Sequence, residues 1–191
     1  MPYSQFYVKT NTVGDGSVNV SSGWYWASTL LTFKATPAPG WGFAGWQGSG
    51  TPLPLGNSGY WQNPWGRNIN YNEPVSVHIG YFSSGGNPFT TVVIGNISET
   101  AVFYPGFEIT ATQGGSVSYS WSGGSGVVQP GQSVVLYVPV GTAITLQATP
   151  NSGYTFAGYR SSTYYGYSGP YSGSSNPATI YVTQPTTASS R

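Results

Sequence analysis

Apolar and polar residues alternate over short runs along this chain, and glycine, proline, asparagine and serine separate the runs. Alternation with a period of two predicts half-buried β-strands, and the intervening clusters predict turns. No segment shows the 3.6-residue period of a helix. The pattern predicts an all-β protein with strands at residues 6–10, 17–20, 30–36, 41–46, 75–81, 90–94, 100–104, 107–112, 115–121, 133–138, 143–149, 154–159, 178–182 and 186–189.

One phrase occurs twice in the chain. Residues 31–46 read LTFKATPAPGWGFAGW, and residues 144–159 read ITLQATPNSGYTFAGY. A constant shift of 113 positions between the two copies indicates a duplicated module. We therefore predict two tandem domains, residues 1–105 and 106–191, each a small antiparallel β-sandwich or β-grasp-like fold. Residues present in both copies are expected to serve the shared fold, and residues present in one copy are candidates for a function of their own.

The repeated motif resembles a known family. Ala-Thr-Pro-x-x-Gly-x-x-Phe-x-Gly-Trp, followed by Asn-Pro and then Glu-Thr-Ala-Val-Phe, is similar to the divergent internalin-type B-repeat of bacterial and archaeal surface proteins. The second copy departs from it at Tyr159, which replaces a tryptophan, and at residues 187–190, where Thr-Ala-Ser-Ser replaces Ala-Val-Phe. The resemblance implies all-β or β-grasp-like modules that act as stalks, spacers or adhesive units, and it carries no catalytic motif. The matching residues are 35–46, 87–88, 99–103, 148–159 and 176–177.

The composition narrows the possible partners. Charged residues make up 5% of the chain, against about 25% in typical domains, and 16% of residues are aromatic, which excludes disorder. With five Lys and Arg and a net charge of +1, the chain has no basic stripe that could bind nucleic acid or an anionic membrane. The longest apolar run, residues 134–140, is far shorter than the roughly 20 residues of a membrane-spanning helix, so no membrane insertion is expected.

The surface composition bears on location. The chain has no cysteine, which excludes disulfides and thiolate chemistry. Its surface must be covered by hydroxyls, amides, glycine and tyrosine, and such a surface depends little on ionised carboxylates. This suits an extracellular or cell-surface location. Asn19 and Asn96 lie in sequons that would accept N-glycans in an exported protein, although such triplets also arise by chance.

The two copies differ most in their insertions. Between Trp46 and Asn87 the first copy has 40 residues, and the second has 16 between Tyr159 and Asn176. Aromatic rings beside amides and a guanidinium can bind a sugar, with the rings on the apolar face of a pyranose. The alternative is that these aromatics fill a small core under their own loop or cover the seam between domains. The candidate ligand-binding residues of this insertion are Tyr60, Trp61, Trp65, Arg67 and Tyr71.

The second copy has an extra hairpin at residues 121–132 and a tyrosine-rich loop at residues 164–171. Tyrosines among Gly and Ser resemble an adaptable protein-binding surface, which makes Tyr164, Tyr165 and Tyr167 candidate contact residues. The alternative is a solvated loop without a dedicated ligand.

Few residues could support catalysis. A triad would have to combine His78 with Asp15, and no Gly-x-Ser-x-Gly motif is present. Glycoside hydrolysis would need Glu73 paired with Glu99 or Glu108, and their spacing gives no support for it. One histidine and four scattered acids form no metal-ligand cluster, and no cofactor is expected.

An intramolecular isopeptide crosslink between lysine and asparagine, with an acid nearby, is a further possibility. Lys9 or Lys34 would be the donor and Glu99 or Glu108 the acid. We predict a non-enzymatic structural or adhesive module of a secreted or surface protein, with other surface proteins or polysaccharide as partners and possible self-association. The alternatives are a carbohydrate-binding module that uses the first insertion, and a subunit of an extracellular filament, surface layer or virion spike.

Overall fold

The structure is a computed structural model that describes residues 4–50, 60–62, 68–70, 82–84, 86–163 and 171–191. These residues contain strands and turns but no helix, which confirms the all-β prediction. The predicted strand at 75–81 lies outside the described residues. The strands are β1 Gln5–Val13, β2 Gly16–Val18, β3 Gly23–Trp26, β4 Leu30–Phe33, β5 Ala35–Pro37, β6 Trp41–Gly50, β7 Tyr60–Gln62, β8 Asn68–Asn70, β9 Phe82–Ser84, β10 Phe89–Val92, β11 Ile97–Thr110, β12 Gly115–Trp121, β13 Gly124–Val128, β14 Ser133–Tyr137, β15 Thr142–Pro150, β16 Tyr159–Thr163, β17 Ala178–Val182 and β18 Thr186–Ser190.

The chain forms two compact units. The first comprises Met1–Ala38 and Phe43–Phe103, and the second comprises Pro39–Gly42 and Tyr104–Arg191. Strand β11 contributes its first seven residues to the first unit and its remaining seven to the second.

In the first unit, β1 pairs in parallel with β11, from Val8↔Ile97 to Val13↔Val102, and antiparallel with β3. β6 pairs with β11 and β9, whereas β2 pairs with β5 and β4 pairs with β10. Side chains from these sheets meet in an aromatic core, where the Phe33 ring lies 5.9 Å from Trp46 and 5.0 Å from Phe89. Phe33, Trp46 and Phe103 have no exposed surface.

In the second unit, β11 pairs in parallel with β18, from Phe107↔Thr186 to Thr110↔Ser189, and antiparallel with β14. β16 pairs with β18, and the other sheet has the order β13-β12-β15-β17. The hairpin of β12 and β13 is the one expected at residues 121–132. The alternating buried residues of both sheets form one hydrophobic core, whose fully buried members include Phe107, Ile109, Val117, Ile144, Leu146 and Val182.

Corresponding backbone features repeat in both units. The Ser28 amide donates to Val93 O at 2.8 Å, and the Gly141 amide donates to Val182 O at 2.8 Å. Gly40 and Gly153 have φ of 83° and 84°, and Gly45 and Gly158 have φ of 145° and 144°. Only glycine adopts such conformations without strain, which explains the glycines that both copies share. These features and the strand registers match residues 8–18 with 107–117, 28–46 with 141–159 and 93–102 with 182–191.

The structure corrects three details of the expected fold. In each unit the first and last strands pair in parallel, because the chain crosses between the two sheets before it returns beside its first strand. Residues 154–158 form no strand and β16 begins at Tyr159, whereas the equivalent residues 41–45 of the first unit belong to β6. Strand β3 was not predicted, because Trp24, Tyr25 and Trp26 are all large aromatics and show no alternation in sequence.

Candidate functional site

Three exposed aromatic side chains lie together on the outer surface of the first unit. Tyr7, Trp24 and Trp26 are 38%, 65% and 54% exposed. The antiparallel register places Tyr7 opposite Trp24 and Gln5 opposite Trp26, so all three rings share one face of the pair β1–β3. The Tyr7 and Trp24 rings meet edge to face, with centroids 5.4 Å apart. We call this surface, formed by Tyr7, Trp24 and Trp26, the aromatic face.

Backbone contacts fix the position of the aromatic face. The Tyr7 amide donates to Asn96 Oδ1 at 2.9 Å, and the Ala27 amide donates to Ser4 O at 2.8 Å. On the other side of β3, the Tyr25 hydroxyl donates to Ser21 O at 2.7 Å. The rings are therefore presented by a hydrogen-bonded pair of strands, which keeps their spacing constant and is suited to a flat ligand surface.

The aromatic face occurs in the first copy alone. The equivalent positions in the second unit are Gly106, Tyr137 and Pro139. A Cβ atom on Gly106 would lie 3.2 Å from the Tyr137 ring, so this tyrosine lies over the backbone rather than beside a second ring. The difference marks the aromatic face as a feature of one copy and not of the shared fold.

Two asparagines have identical structural roles. Asn87 accepts from the Ala35 amide and donates to the Ala35 carbonyl, both at 2.8 Å. Asn176 makes the same two hydrogen bonds with Ala148, at 2.8 and 2.9 Å. Each asparagine side chain thus bonds both backbone groups of a buried alanine, as a residue of a neighbouring strand would. The Asn-Pro of the repeated motif therefore belongs to the scaffold.

The equivalent aromatic residues Trp46 and Tyr159 also serve the fold. Trp46 is fully buried and its Nε1 donates to Gly86 O at 2.8 Å. The Tyr159 hydroxyl donates to Asn176 Oδ1 at 3.0 Å, and burial raises the pKa of Tyr159 to about 12. The exchange of tryptophan for tyrosine between the copies thus preserves a buried hydrogen-bond donor.

Glu99 is the most unusual titratable residue among those described. Its side chain has no exposed surface, and neither carboxyl oxygen has a hydrogen-bond partner. Burial raises its pKa to about 8. A Cβ atom on Gly48 would lie 2.5 Å from Glu99 Oε1, so the carboxyl group occupies the space beside this glycine. The equivalent positions in the second unit are Ser161 and Ala188.

The positions of the lysines contradict the crosslink hypothesis. Lys9 pairs with Ser98 and is exposed, so it lies on the face opposite to Glu99, which pairs with Thr10. Lys34 is exposed between the buried Phe33 and Ala35. Neither amine is directed into the core that holds the buried acid, because successive side chains of a strand point to opposite faces.

The second unit contains an apolar cavity of about 410 Å³. It opens beside the start of β12 and the end of β18, next to the segment that precedes β16. Its volume lies within the range of roughly 300–1,000 Å³ that is usual for ligand pockets. It is lined by Gly115, Ala148, Pro150, Tyr154, Phe156 and Ser190, among others.

The two sequons differ in their surroundings. Asn19 is exposed, but its Oδ1 accepts from the Lys34 amide at 2.7 Å and its Nδ2 donates to Thr32 O at 2.9 Å. Asn96 is exposed and accepts from the Tyr7 amide. Both asparagines thus have local structural roles, and glycosylation of either remains a prediction.

The remaining candidate residues lie outside the part of the chain whose side chains are described. Tyr60 and Trp61 belong to β7, but their side chains lie outside the described residues, as do Trp65, Arg67 and Tyr71 of the same insertion. The same holds for Glu73 and His78, and for Tyr164, Tyr165 and Tyr167 of the second copy. The part of the chain that is described holds no group of three or more His, Cys, Asp or Glu residues that could bind a metal ion. In that part there is also no helix with the length and apolar character to cross a bilayer.

Sequence comparison decides the family. The model of the divergent InlB B-repeat domain matches residues 6–59 and 106–190. The chain belongs to this family. The match confirms the resemblance inferred from the doubled motif and shows that both copies are B-repeats. A search of curated proteins found no match.

Two solved structures share a distant likeness with the B-repeat chain. They are the major pilin proteins T3.2 and T-13 of Streptococcus pyogenes, at 6% and 8% sequence identity and a TM-score of 0.35 for each. The likeness covers 100% of this chain and 98% of the first pilin, and 99% of this chain and 97% of the second.

Proposed function

We propose that the chain is a non-enzymatic structural module that resists tension within a cell-surface or secreted protein. The observation that carries the proposal is the parallel pairing of the first and last strands in each unit. Six residue pairs join β1 to the first half of β11, and four join the second half of β11 to β18.

The direction of force explains why this pairing matters. When two adjacent parallel strands are pulled from opposite ends, the strands slide along each other and the hydrogen bonds between them are loaded together. In an antiparallel hairpin pulled at its open end, the bonds break one after another. Both B-repeats have the first arrangement between their terminal strands, which is a suitable geometry for a stalk or spacer.

The positions of the described carboxyl groups agree with a structural role. Asp15 lies in the turn between β1 and β2, Glu99 lies in the core of the first unit, and Glu108 pairs with Val135 and Thr187 in the second unit. No pair of these acids shares a site, whereas general acid and base catalysis needs titratable groups within reach of one substrate.

Labelling of intact cells tests the proposed location. Antibodies against the purified chain are applied to cells of the organism that makes it, before and after permeabilisation. We expect full labelling before permeabilisation, with a cytosolic marker protein as the control that requires permeabilisation. Labelling that appears only in permeabilised cells would exclude a surface module.

The aromatic face supports a second candidate function, polysaccharide binding. Tyr7, Trp24 and Trp26 present rings to solvent, and the polar side chains of Gln5 and Lys9 lie on the same face of β1. Rings can pack on the apolar faces of sugars while neighbouring polar groups bond the hydroxyls. This proposal places the sugar on the strands themselves, and the long insertion of the first copy stays a further candidate.

Affinity electrophoresis through gels that contain soluble polysaccharides tests this function. Retardation of the wild-type chain should be lost in the double variant Trp24→Ala, Trp26→Ala. Tyr181→Ala is the matched control, because Tyr181 is an aromatic residue with 62% exposure in the second unit. Equal retardation of the double variant and the wild type would exclude the aromatic face as the binding site.

A further inference from the structure

The surface of the second unit that is equivalent to the aromatic face carries the opposite charge. The strand registers make Lys9 of β1 equivalent to Glu108 of β11. Lys9 is exposed and lies two positions after Tyr7, so its side chain points to the same face as the Tyr7 ring. Glu108 is half-buried and lies two positions after Gly106, the equivalent of Tyr7. One position of the repeated fold thus holds a cation in the first copy and an anion in the second.

Glu108 lies beside exposed apolar side chains. In the antiparallel pair β11–β14, Glu108 is directly opposite Val135, and Gly106 is directly opposite Tyr137. Opposed residues share one face of a sheet, so the carboxylate is a neighbour of both exposed apolar side chains. These residues line an open depression of about 280 Å³. We call the surface formed by Glu108, Val135 and Tyr137 the acidic face.

We propose that the aromatic face of one copy of the chain binds the acidic face of a second copy. Lys9 of one copy lies against Glu108 of the next in this arrangement, and the exposed rings of the aromatic face pack on Val135 and Tyr137. Gly106 has no side chain, which leaves the depression open to a ring of the second copy.

The repeated fold makes the two faces complementary. The charged position and the ring position have the same separation on both faces, because they belong to equivalent strand pairs. Two faces with the same separation can meet so that charge opposes charge and ring opposes ring. Burial of the exposed rings against apolar side chains supplies the attraction, and the ion pair selects which faces meet.

The charges also disfavour the two symmetric arrangements. Contact between two aromatic faces would bring Lys9 of one copy towards Lys9 of the other, and contact between two acidic faces would do the same for Glu108. Like charges in such a contact oppose binding. The whole chain has five Lys and Arg and four Asp and Glu, so few other charges can offset this repulsion. The favoured contact joins unlike faces, and it can continue from copy to copy.

Analytical ultracentrifugation of the full chain, at concentrations up to millimolar, tests the inference by charge reversal. We expect the wild type to associate as its concentration rises. Lys9→Glu and Glu108→Lys should each weaken the association about tenfold, because an attraction becomes a repulsion. An equimolar mixture of the two variants should associate like the wild type, since every contact between alternating variants joins unlike charges. Misfolded variants could not restore the association in this way.

Lys34→Glu is the matched control, because it makes the same charge change at an exposed lysine of the first unit outside the aromatic face. It should leave the association unchanged. A wild type that stays monomeric at millimolar concentration would overturn the inference, and so would a mixture of the two variants that stays monomeric. If both variants associate like the wild type, while Trp24→Ala, Trp26→Ala abolishes retardation by polysaccharide, the aromatic face binds sugar and not a second copy.

Discussion

The buried carboxyl group of Glu99 predicts that the first unit loses stability as the pH rises. The perturbation that reveals this is Glu99→Gln, which keeps the shape of the side chain and removes its charge. Glu99 has no exposed surface and no hydrogen-bond partner, so the folded state holds it in its neutral form up to a pKa of about 8. In the unfolded chain the same group ionises near its ordinary value of 4.5.

The sign and size of the effect follow from this difference. Between pH 4.5 and about 8 the folded state binds one more proton than the unfolded state, so the free energy of unfolding falls as the pH rises. The slope is about 1.4 kcal/mol per pH unit, and the total loss across this interval is roughly 5 kcal/mol. Below pH 4.5 and above pH 8 the contribution of Glu99 should be constant. The Glu99→Gln variant should match the wild type near pH 4.5 and exceed its stability at pH 8.

Urea denaturation followed by tryptophan fluorescence from pH 4 to pH 9 measures this effect. Six of the seven tryptophans precede residue 104, so the signal reports mainly on the first unit. Asp15→Asn is the control, because it removes one carboxyl group at an exposed position of the same unit. Parallel pH profiles for the wild type and Glu99→Gln would refute the reasoning, and so would a wild-type stability that rises between pH 5 and pH 8.

Two further predictions concern residues that the copies share. Asn176→Ala removes the hydrogen-bond partners of the Ala148 amide and carbonyl, and it should lower the free energy of unfolding of the second unit by about 2–4 kcal/mol. Urea denaturation measures this loss. The control variant Asn151→Ala should show no comparable loss, because the side chain of Asn151 is exposed. Gly153→Ala should lower the free energy of unfolding by about 1–2 kcal/mol, because alanine is strained at a φ of 84°. No steric clash adds to this strain, since a Cβ atom at this position meets nothing within 4 Å. Gly158→Ala should cost more, because its Cβ atom would also lie 2.8 Å from Gly173 O, and equal melting temperatures for the two variants would contradict this order.

The strands and turns of the shared fold could be predicted from the sequence, because the patterns that indicate them are local. Alternation along residues 31–35 and 144–148 gave the buried faces of β4, β5 and β15, since side chains on a strand alternate. The turn glycines at 40 and 153 were recognisable because a positive φ restricts the residue type. Duplication strengthened both predictions, because each signal occurred at the same place in two copies.

The aromatic face and the cavity could not be predicted, because both depend on strand pairing. Trp24 and Trp26 become neighbours of Tyr7 through the register of β3 on β1, which no local pattern specifies. The run Trp-Tyr-Trp between Gly23 and Ala27 was the available signal, since it is a short aromatic stretch bounded by small residues.

Glu99 shows a different limit of sequence reasoning. Its place beside the predicted strand at residues 100–104 gave no indication of burial, because acids are rarely buried without a partner. Its burial follows from the alternation of β11, in which Ile97, Glu99 and Ala101 point to the same side. Gly48 provides the space for the carboxyl group, and this contact joins residues that are far apart in sequence.

Single-molecule pulling tests the tension-resisting role most directly. The chain has no cysteine, so introduced cysteines give unique attachment points. One attachment uses the two chain ends, which load the parallel terminal pairs, and the other uses Ala157→Cys and Arg191→Cys, which lie at the open end of the antiparallel pair β16–β18. The account predicts a higher unfolding force for the second unit through the chain ends than through residues 157 and 191. An equal or lower force through the chain ends would contradict it.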